Sequence, residues 1–429
     1  MHFIGRASAN TGDSRMNPAI EHRPAVLAIF VLTYLGLAMG KVPGLKINRV
    51  GIALLGAIAI MIASGRSPKE AAASVNWPTI FLLFGFFVIS AQLRLSGFFG
   101  WVADWISKRL DAPARFLAFL ILATAGLSAV LNHDIVCYVL APVVGSALVR
   151  KDMDPVPFLV ALAIASNIGA AATLIGSPQN ILIGEVAGLG FASYMLWSLV
   201  PVLFGLSVIY LIIPLHARPI PPGIAAAQVQ PESEVYPFNR FHVIKGLVIL
   251  AVVIGLFFTS LPKEVVVLVA AGIHLASAKF KTEDMLGLVD WPILVLFTSL
   301  FVVSGAFQTT GYGEQSVAWL QGRGFNPSQP ANLAALTAGL SALINNAPAV
   351  MLLLKIVPIT HASTAYIMAV ANSVGGSLIM TASVANIIVV QQARQMGIAI
   401  SFRAFARLGI PITLISLLGL IAWAHFMGP

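Results

Sequence analysis

The chain alternates long apolar runs with short polar breaks. Apolar segments fall at about 25–39, 49–65, 77–93, 114–150, 156–188 and 191–215, then at 241–259, 263–279, 290–309, 331–360, 363–397 and 402–426. A helix needs ~20 apolar residues to cross a bilayer. The run from about Phe116 to Val149 is broken by Asn132, His133 and Asp134, so neither arm is expected to span. The pattern predicts a re-entrant hairpin whose polar tip lies at membrane depth, where polar backbone and charge survive only inside protein or beside water. Leu340–Ala349 repeats the arrangement, with Asn345 and Asn346 at the tip and Pro348 stiffening the turn. Gly97–Leu110 interleaves Trp101 and Trp105 with Asp104, Lys108 and Arg109, as in a helix lying along a membrane surface. Residues 216–240 change character: Pro219, Pro221, Pro222, Pro231 and Pro237 stand among Gln, Glu and Ser, which marks a linker.

The second half replays the first. Val75–Gly97 aligns with Val289–Gly311, sharing the Trp-Pro pair, Leu82/Leu296, Phe87/Phe301, Val88/Val302 and Ser90/Ser304. Leu127-Ser-Ala aligns with Leu340-Ser-Ala and Asn132 with Asn345; Ser166–Ile183 aligns with Asn372–Val389, sharing Gly169/Gly375, Ser177/Ser383, Asn180/Asn386 and Ile181/Ile387. Five spans per half is an odd number, so the second copy must enter from the opposite side. Such inverted repeats are common in secondary transporters, with the site near the midplane. The expected fold is an all-α polytopic membrane protein of two inverted repeats of five transmembrane segments, each with a re-entrant hairpin and a broken helix. The division is a polar tail 1–24, a first repeat 25–215, a linker 216–240 and a second repeat 241–429.

Composition agrees. Hydrophobic residues make up 58%, charged residues 10%, and mean hydropathy is +0.91, which excludes a soluble fold. The net charge of +9 is no nucleic-acid signature, because the basic residues sit singly in short loops. Lys41, Lys46, Arg49, Arg94, Lys108, Arg109, Arg150, Lys151, Lys279, Lys281, Arg403 and Arg407 fall on one side. The positive-inside rule then puts both termini outside and the linker in the cytoplasm of a cell-membrane protein. Ala25–Gly40 resembles a signal peptide's apolar core, but with so many spans following it reads as the first span. Cys137 is the only cysteine, so no disulfide forms within the chain.

The broken segments supply the rest of a candidate site. Gly169, Gly176 and Pro178 are placed where a helix should unwind, and Ser166, Asn167, Thr173, Ser177 and Asn180 add neutral donors and acceptors. The twin segment offers Asn372, Ser373, Gly375, Thr381, Ser383 and Asn386. Small residues could instead serve only close helix contact, but the symmetric pairing favours a site. Asp134 is the sharpest residue: the other carboxylates lie in tails, loops, surface helices or segment ends. A buried carboxylate that can load and release a proton is a coupling element; the bland alternative is a tip cap. His133 could share that proton. Lys355 could meet an anion or snorkel outward. Cys137 reads as core, and Trp77-Pro78 and Trp291-Pro292 as interfacial anchors.

The stretches ATLIGSPQNILIG (172–184), NHDIVCYVLAP (132–142) and INNAPAV (344–350) resemble the ion-transporter superfamily. That group holds arsenite efflux pumps, NhaD-type sodium/proton antiporters, anion permeases and divalent-anion/sodium symporters. The likeness covers residues 25–426 and is strongest to the anion permeases and arsenite pumps. Those pumps carry an Asn-Asp tip with the Asp eight residues before a Pro, as Asp134 precedes Pro142, and an Asn-Asn-x-Pro second tip, matching Asn345, Asn346 and Pro348. Dicarboxylate symporters use Ser-Asn-Thr at both tips, which this chain lacks. The resemblance implies a scaffold and a transport domain moving elevator-fashion, often as a homodimer. The expected function is proton-coupled efflux of a small inorganic oxyanion or metalloid oxyacid, arsenite- or antimonite-like. Sodium/proton antiport and sodium-coupled carboxylate symport are the alternatives. No enzyme is expected, since HExxH is absent and no second deep carboxylate partners Asp134, and a passive channel is disfavoured. No cofactor or metal is expected, only H+ or Na+ as coupling ion. The partners are an inorganic solute and the bilayer, not nucleic acid.

Overall fold

The computed structural model describes residues 23–40, 44–108, 112–216 and 236–428. Most of the expected tail and linker, with Lys41, Arg109 and Asp111, lies outside the described residues. The described chain is all-helical, with no strand. The first half contains α1 (Arg23–Met39), α2 (Arg49–Ser64), α3 (Pro68–Ala73), α4 (Trp77–Leu95), α5 (Phe98–Ser107), α6 (Pro113–Val130), α7 (His133–Val149), α8 (Pro155–Ala170), α9 (Pro178–Val186) and α10 (Phe191–Ile212). The second contains α11 (Arg240–Leu256), α12 (Lys263–Leu275), α13 (Thr282–Gly287), α14 (Trp291–Gln308), α15 (Tyr312–Gly322), α16 (Pro330–Ile344), α17 (Asn346–Ile356), α18 (Ala362–Gly375), α19 (Val384–Gln395) and α20 (Phe402–Met427). Each helix therefore has a counterpart ten places on.

Local chemistry explains the shared boundaries. Asn76 Oδ1 accepts from Thr79 N at 3.0 Å and Asp290 Oδ1 accepts from Ile293 N at 3.1 Å, side-chain caps that start α4 and α14. A Trp-Pro pair follows each cap, with Pro in the first turn where its missing N–H costs nothing. The halves interlock rather than sit side by side. Helix α4 packs on α12 while α14 packs on α2; α7 packs on α19 while α17 packs on α9. Helices α8 and α18 are buried along nearly their whole lengths and touch each other. Trp423 Nε1 donates to the Trp197 carbonyl at 3.0 Å and ties α20 to α10.

Outside this core, Leu32, Ile62, Leu196, Leu211, Phe241 and Leu418 stand exposed. An apolar exterior of this breadth suits hydrocarbon rather than water. Among the described residues five helices are long and apolar enough to cross a membrane: α4, α6, α10 with the short 3-10 turn after it, α14 and α20. This corrects one expectation, because α6 has 18 residues and its length alone does not bar it from crossing. Helix α17, with 11 residues, rises only roughly 16 Å and falls well short.

The end of the linker is strapped over the amphipathic helix α5. Asn239 N donates to the Ser96 carbonyl at 2.9 Å, and Trp101 stacks on Phe238 with centroids 6.0 Å apart. Gly97 makes this possible: its φ is +78°, and a Cβ there would lie 2.8 Å from Phe238 Cα. Its counterpart Gly311 has φ +73° but open space around it. Gly97→Ala is therefore expected to cost roughly 2–3 kcal/mol more than Gly311→Ala, the increment typical of overpacking. Thermal unfolding of the two purified variants checks it.

Candidate functional site

Helix α7 begins abruptly at the first tip. Asn132 Oδ1 accepts from Asp134 N at 2.9 Å, so Asn132 turns the chain and starts the helix. His133 Nε2 lies 3.5 Å from Asp134 Oδ1. All three residues are buried, and Asn132 Nδ2, His133 Nδ1 and Asp134 Oδ1 have no hydrogen-bond partner in the protein. A serine relay locks the tip to α8: Ser128 Oγ donates to Ser166 Oγ at 3.2 Å, and Ser166 Oγ donates to the His133 carbonyl at 3.1 Å. In the second half Ser341 Oγ bonds the Asn372 carbonyl at 3.1 Å and also Asn346 Oδ1.

The second tip is strained where the first is not. Asn345 has φ +76° and ψ 160°, a region nearly reserved for Gly and worth about 1–3 kcal/mol of strain. Its Nδ2 is buried without a partner. Asn345→Gly should raise the unfolding temperature by relieving that strain. Melting curves of Asn345→Gly and Asn345→Ala together check this, since only the Gly variant relieves the backbone.

Each helix break is held by one asparagine. Asn180 Nδ2 donates to the Ala170 carbonyl at 3.0 Å and to the Thr173 carbonyl at 3.2 Å. Asn386 Nδ2 donates to the Gly376 carbonyl at 2.7 Å and to the Ile379 carbonyl at 3.1 Å. These are the same bonds at equivalent positions, closing the carbonyls left open where α8 and α18 stop. Ser177 caps α9 by accepting from Asn180 N at 3.2 Å, whereas Ser383 Oγ is buried and unpartnered. Thr173 Oγ1 donates to the Ala129 carbonyl, pinning the first break to α6. A further bond crosses between halves: Asn167 Nδ2 donates to Asn386 Oδ1 at 2.8 Å.

Gly169 does not itself unwind its helix, as the sequence suggests it should; it sits in the last turn of α8, as its counterpart Gly375 sits in the last turn of α18. Their missing side chains admit close approach instead. A Cβ on Gly375 would lie 2.5 Å from Ala338 Cα, and one on Gly169 would collide with Ala125. The breaks fall later, at 171–177 and 376–383, and Gly176 is wedged where a Cβ would come within 2.7 Å of the Ser128 carbonyl.

These parts enclose a cavity of about 30 Å³, lined by residues of both tips, the helix starts that follow both breaks and one wall of α14. That is room for a water or two. His133 and Asp134 open α7, Pro178 and Gln179 open α9, Asn346 and Ala347 open α17, and Ser383 and Val384 open α19. Four helix amino-termini, each carrying about half a positive charge, therefore converge around one carboxylate. Of the sequence candidates, His133, Asp134, Asn345, Asn346 and Ser383 line the cavity. Asn132, Ser166, Asn167, Thr173, Ser177, Asn180 and Asn386 act behind it as buried caps and struts, and Asn372 is buried there with its side-chain amide unpartnered. Ser373 is buried off the cavity, and Thr381 is exposed on the second break. Lys355 points elsewhere, its Nζ donating to Gln308 Oε1 at 2.9 Å, and Cys137 is a buried free thiol.

Three contributors escape the sequence reading. Gln179 lines the cavity with its Oε1 unpartnered. Ile293, Leu296 and Phe297 of α14 form the apolar wall, a face fixed only by how the halves dock. Asp290, read as a segment end, is partly buried; burial and then the charge of Asp134 push its carboxyl up to about 6.

Comparison with known proteins bears on what this arrangement belongs to. Residues 34–367 match the family model described as "CitMHS: Citrate transporter". An uncharacterized transporter of Mycobacterium tuberculosis is 31% identical over 414 residues, spanning 91% of this chain and 95% of its own. The silicon efflux transporter LSI3 of Oryza sativa subsp. japonica is 33% identical over 168 residues, 39% of this chain and 35% of its own. In three dimensions the fold resembles the Alcanivorax borkumensis YdaH transporter, with TM-score 0.60, 15% identity and coverage of 96% and 98% of the two chains. With that family match and whole-length similarity, the chain belongs to the CitMHS citrate transporter family of the ion-transporter superfamily and is a multi-pass membrane transporter.

Proposed function

We propose that the protein exports a small inorganic oxyacid, arsenite- or antimonite-like, in exchange for protons. The observation that carries this reading is the cavity where four helix amino-termini meet Asp134 with no Lys or Arg among the lining residues. Helix termini and amide or hydroxyl groups suit the oxygens of a neutral or weakly charged oxyacid. A trianion would face Asp134 with no fixed cation to offset it. The rice relative's name describes silicon efflux, and silicic acid is another uncharged hydroxide-rich solute.

In this reading Asp134 holds the coupling proton and His133 orients it. Asn345, Asn346, Gln179 and Ser383 contact solute, and the remaining candidates Asn132, Ser166, Asn167, Gly169, Thr173, Gly176, Ser177, Asn180, Asn372, Ser373, Gly375, Thr381 and Asn386 shape the first tip and the breaks. The repeats run in opposite directions through the cell membrane, and α6–α7 and α16–α17 are re-entrant hairpins dipping from opposite faces. The reciprocal contacts between halves and the shortness of α17 support this arrangement. The division into repeats at 25–215 and 241–429 follows, with the linker cytoplasmic. Helices α6–α10 and α16–α20 move as a transport unit against α1–α4 and α11–α14, in a chain that pairs as a homodimer.

The experiment is flux in proteoliposomes under a pH gradient, with arsenite, silicic acid, citrate and sodium tested one at a time. Arsenite or silicic acid movement coupled to protons is expected. The family description supports one second reading, carboxylate transport; citrate flux without arsenite or silicic acid flux would establish it and overturn the first.

A further inference from the structure

Asp290 stands at the head of α14, one turn before Ile293, which lines the cavity with Asp134. Its Oδ1 accepts from Ile293 N at 3.1 Å. At the same place in the first half is Asn76, whose Oδ1 accepts from Thr79 N at 3.0 Å. Asn and Asp cap helices about equally well, so the fold does not need a charge at this position. Asp134 is buried with its Oδ1 unpartnered and lines the cavity, whereas Asp290 is partly exposed. Asp290 is thus open to water one turn before the wall of the cavity that encloses Asp134.

We propose that Asp290 is a positioning acid at the cytoplasmic mouth of the site, taking protons from water and passing them through the cavity to Asp134. This rests on the reading in which Asp134 carries the coupling proton. Two neighbouring carboxylates hold a shared proton more readily than either does alone, and after burial the charge of Asp134 helps to hold the Asp290 proton. Other charged groups near α14 are engaged elsewhere. Arg94 of α4 lies 4.7 Å over the Tyr138 ring, Arg49 of α2 donates to the Leu37 carbonyl at 3.2 Å, and Lys355 of α17 bonds Gln308. Glu70 of α3 accepts from Ser67 N at 2.7 Å, Lys279, Lys281, Glu283 and Asp284 are exposed, and His133 faces Asp134.

The test is proton-coupled flux in proteoliposomes against the pH of the cytoplasmic face, for wild type, Asp290→Asn and Asp134→Asn. Asp290→Asn keeps the cap, as Asn76 does, and Asp290→Ser serves as a second capping variant. Without the neighbouring charge the proton is released more easily. The pH of half-maximal flux should therefore fall by roughly one unit in both variants, and Asp290→Glu should restore it. A profile superimposable on wild type, with Asp134→Asn uncoupled, would overturn the role of Asp290 alone. Coupling that survives Asp134→Asn would overturn the underlying reading as well.

Discussion

Asp134→Asn is expected to abolish proton-coupled flux while leaving the protein folded. Proton transfer by a positioned side chain is commonly worth on the order of 100-fold or more in rate, so coupled transport should fall at least that far. Folding should survive because Asn is isosteric and Asp134 Oδ1 makes no hydrogen bond in the protein. The cap that starts α7 uses the Asp134 backbone N–H, received by Asn132 Oδ1 at 2.9 Å, and the substitution leaves it untouched. Flux against pH and a melting curve on one preparation read both halves of the prediction. Retained coupling would show that the proton travels elsewhere.

The largest structural effect is expected from Asn386→Leu. Asn386 bonds the Gly376 and Ile379 carbonyls at 2.7 and 3.1 Å and accepts from Asn167 Nδ2 at 2.8 Å. Replacement by an apolar side chain of similar size strands three buried polar groups, each worth about 1–3 kcal/mol. Asn167 keeps its bond to the Ala163 carbonyl at 3.0 Å, which softens the loss on that side. A net cost of roughly 3–5 kcal/mol is therefore expected. Asn180 makes the same two carbonyl bonds, but its Oδ1 is unpartnered, so Asn180→Leu should cost less by about one buried hydrogen bond. Denaturant unfolding of the two variants in detergent checks the order; equal losses would mean that the cross-half bond contributes nothing.

The repeat was legible because the second half keeps residues whose chemistry is local. The Trp-Pro starts, Asn180 and Asn386, and the polar tips each fix a boundary through bonds to nearby backbone, and the helices follow those boundaries. Features set by docking between halves were not legible. Ile293, Leu296 and Phe297 look like any apolar helix face until α14 meets the tips. Asn167 could have bonded only its own helix; that it also reaches Asn386 depends on α8 and α19 lying together. Gly169 suggests a helix breaker in the sequence because Gly has two uses, and only the nearness of Ala125, like that of Ala338 to Gly375, identifies close approach as the one that operates. Asn345 gave no sign of its positive φ, since Asn tolerates many conformations. Asp290 looks like a segment end because the sequence hides that Ile293, whose N–H it caps, lines the cavity with Asp134.

The proposed mechanism depends on the two tips entering from opposite faces and meeting. Cys137 is the only cysteine, so Cys137→Ser supplies a thiol-free background. Ala114 near the start of α6 and Ala331 near the start of α16 are both exposed. With Ala114→Cys or Ala331→Cys introduced singly, a membrane-impermeant thiol reagent is added to intact cells and to inverted vesicles. The account predicts that Ala331→Cys reacts only in cells and Ala114→Cys only in inverted vesicles. Labelling of both from the same side would contradict it.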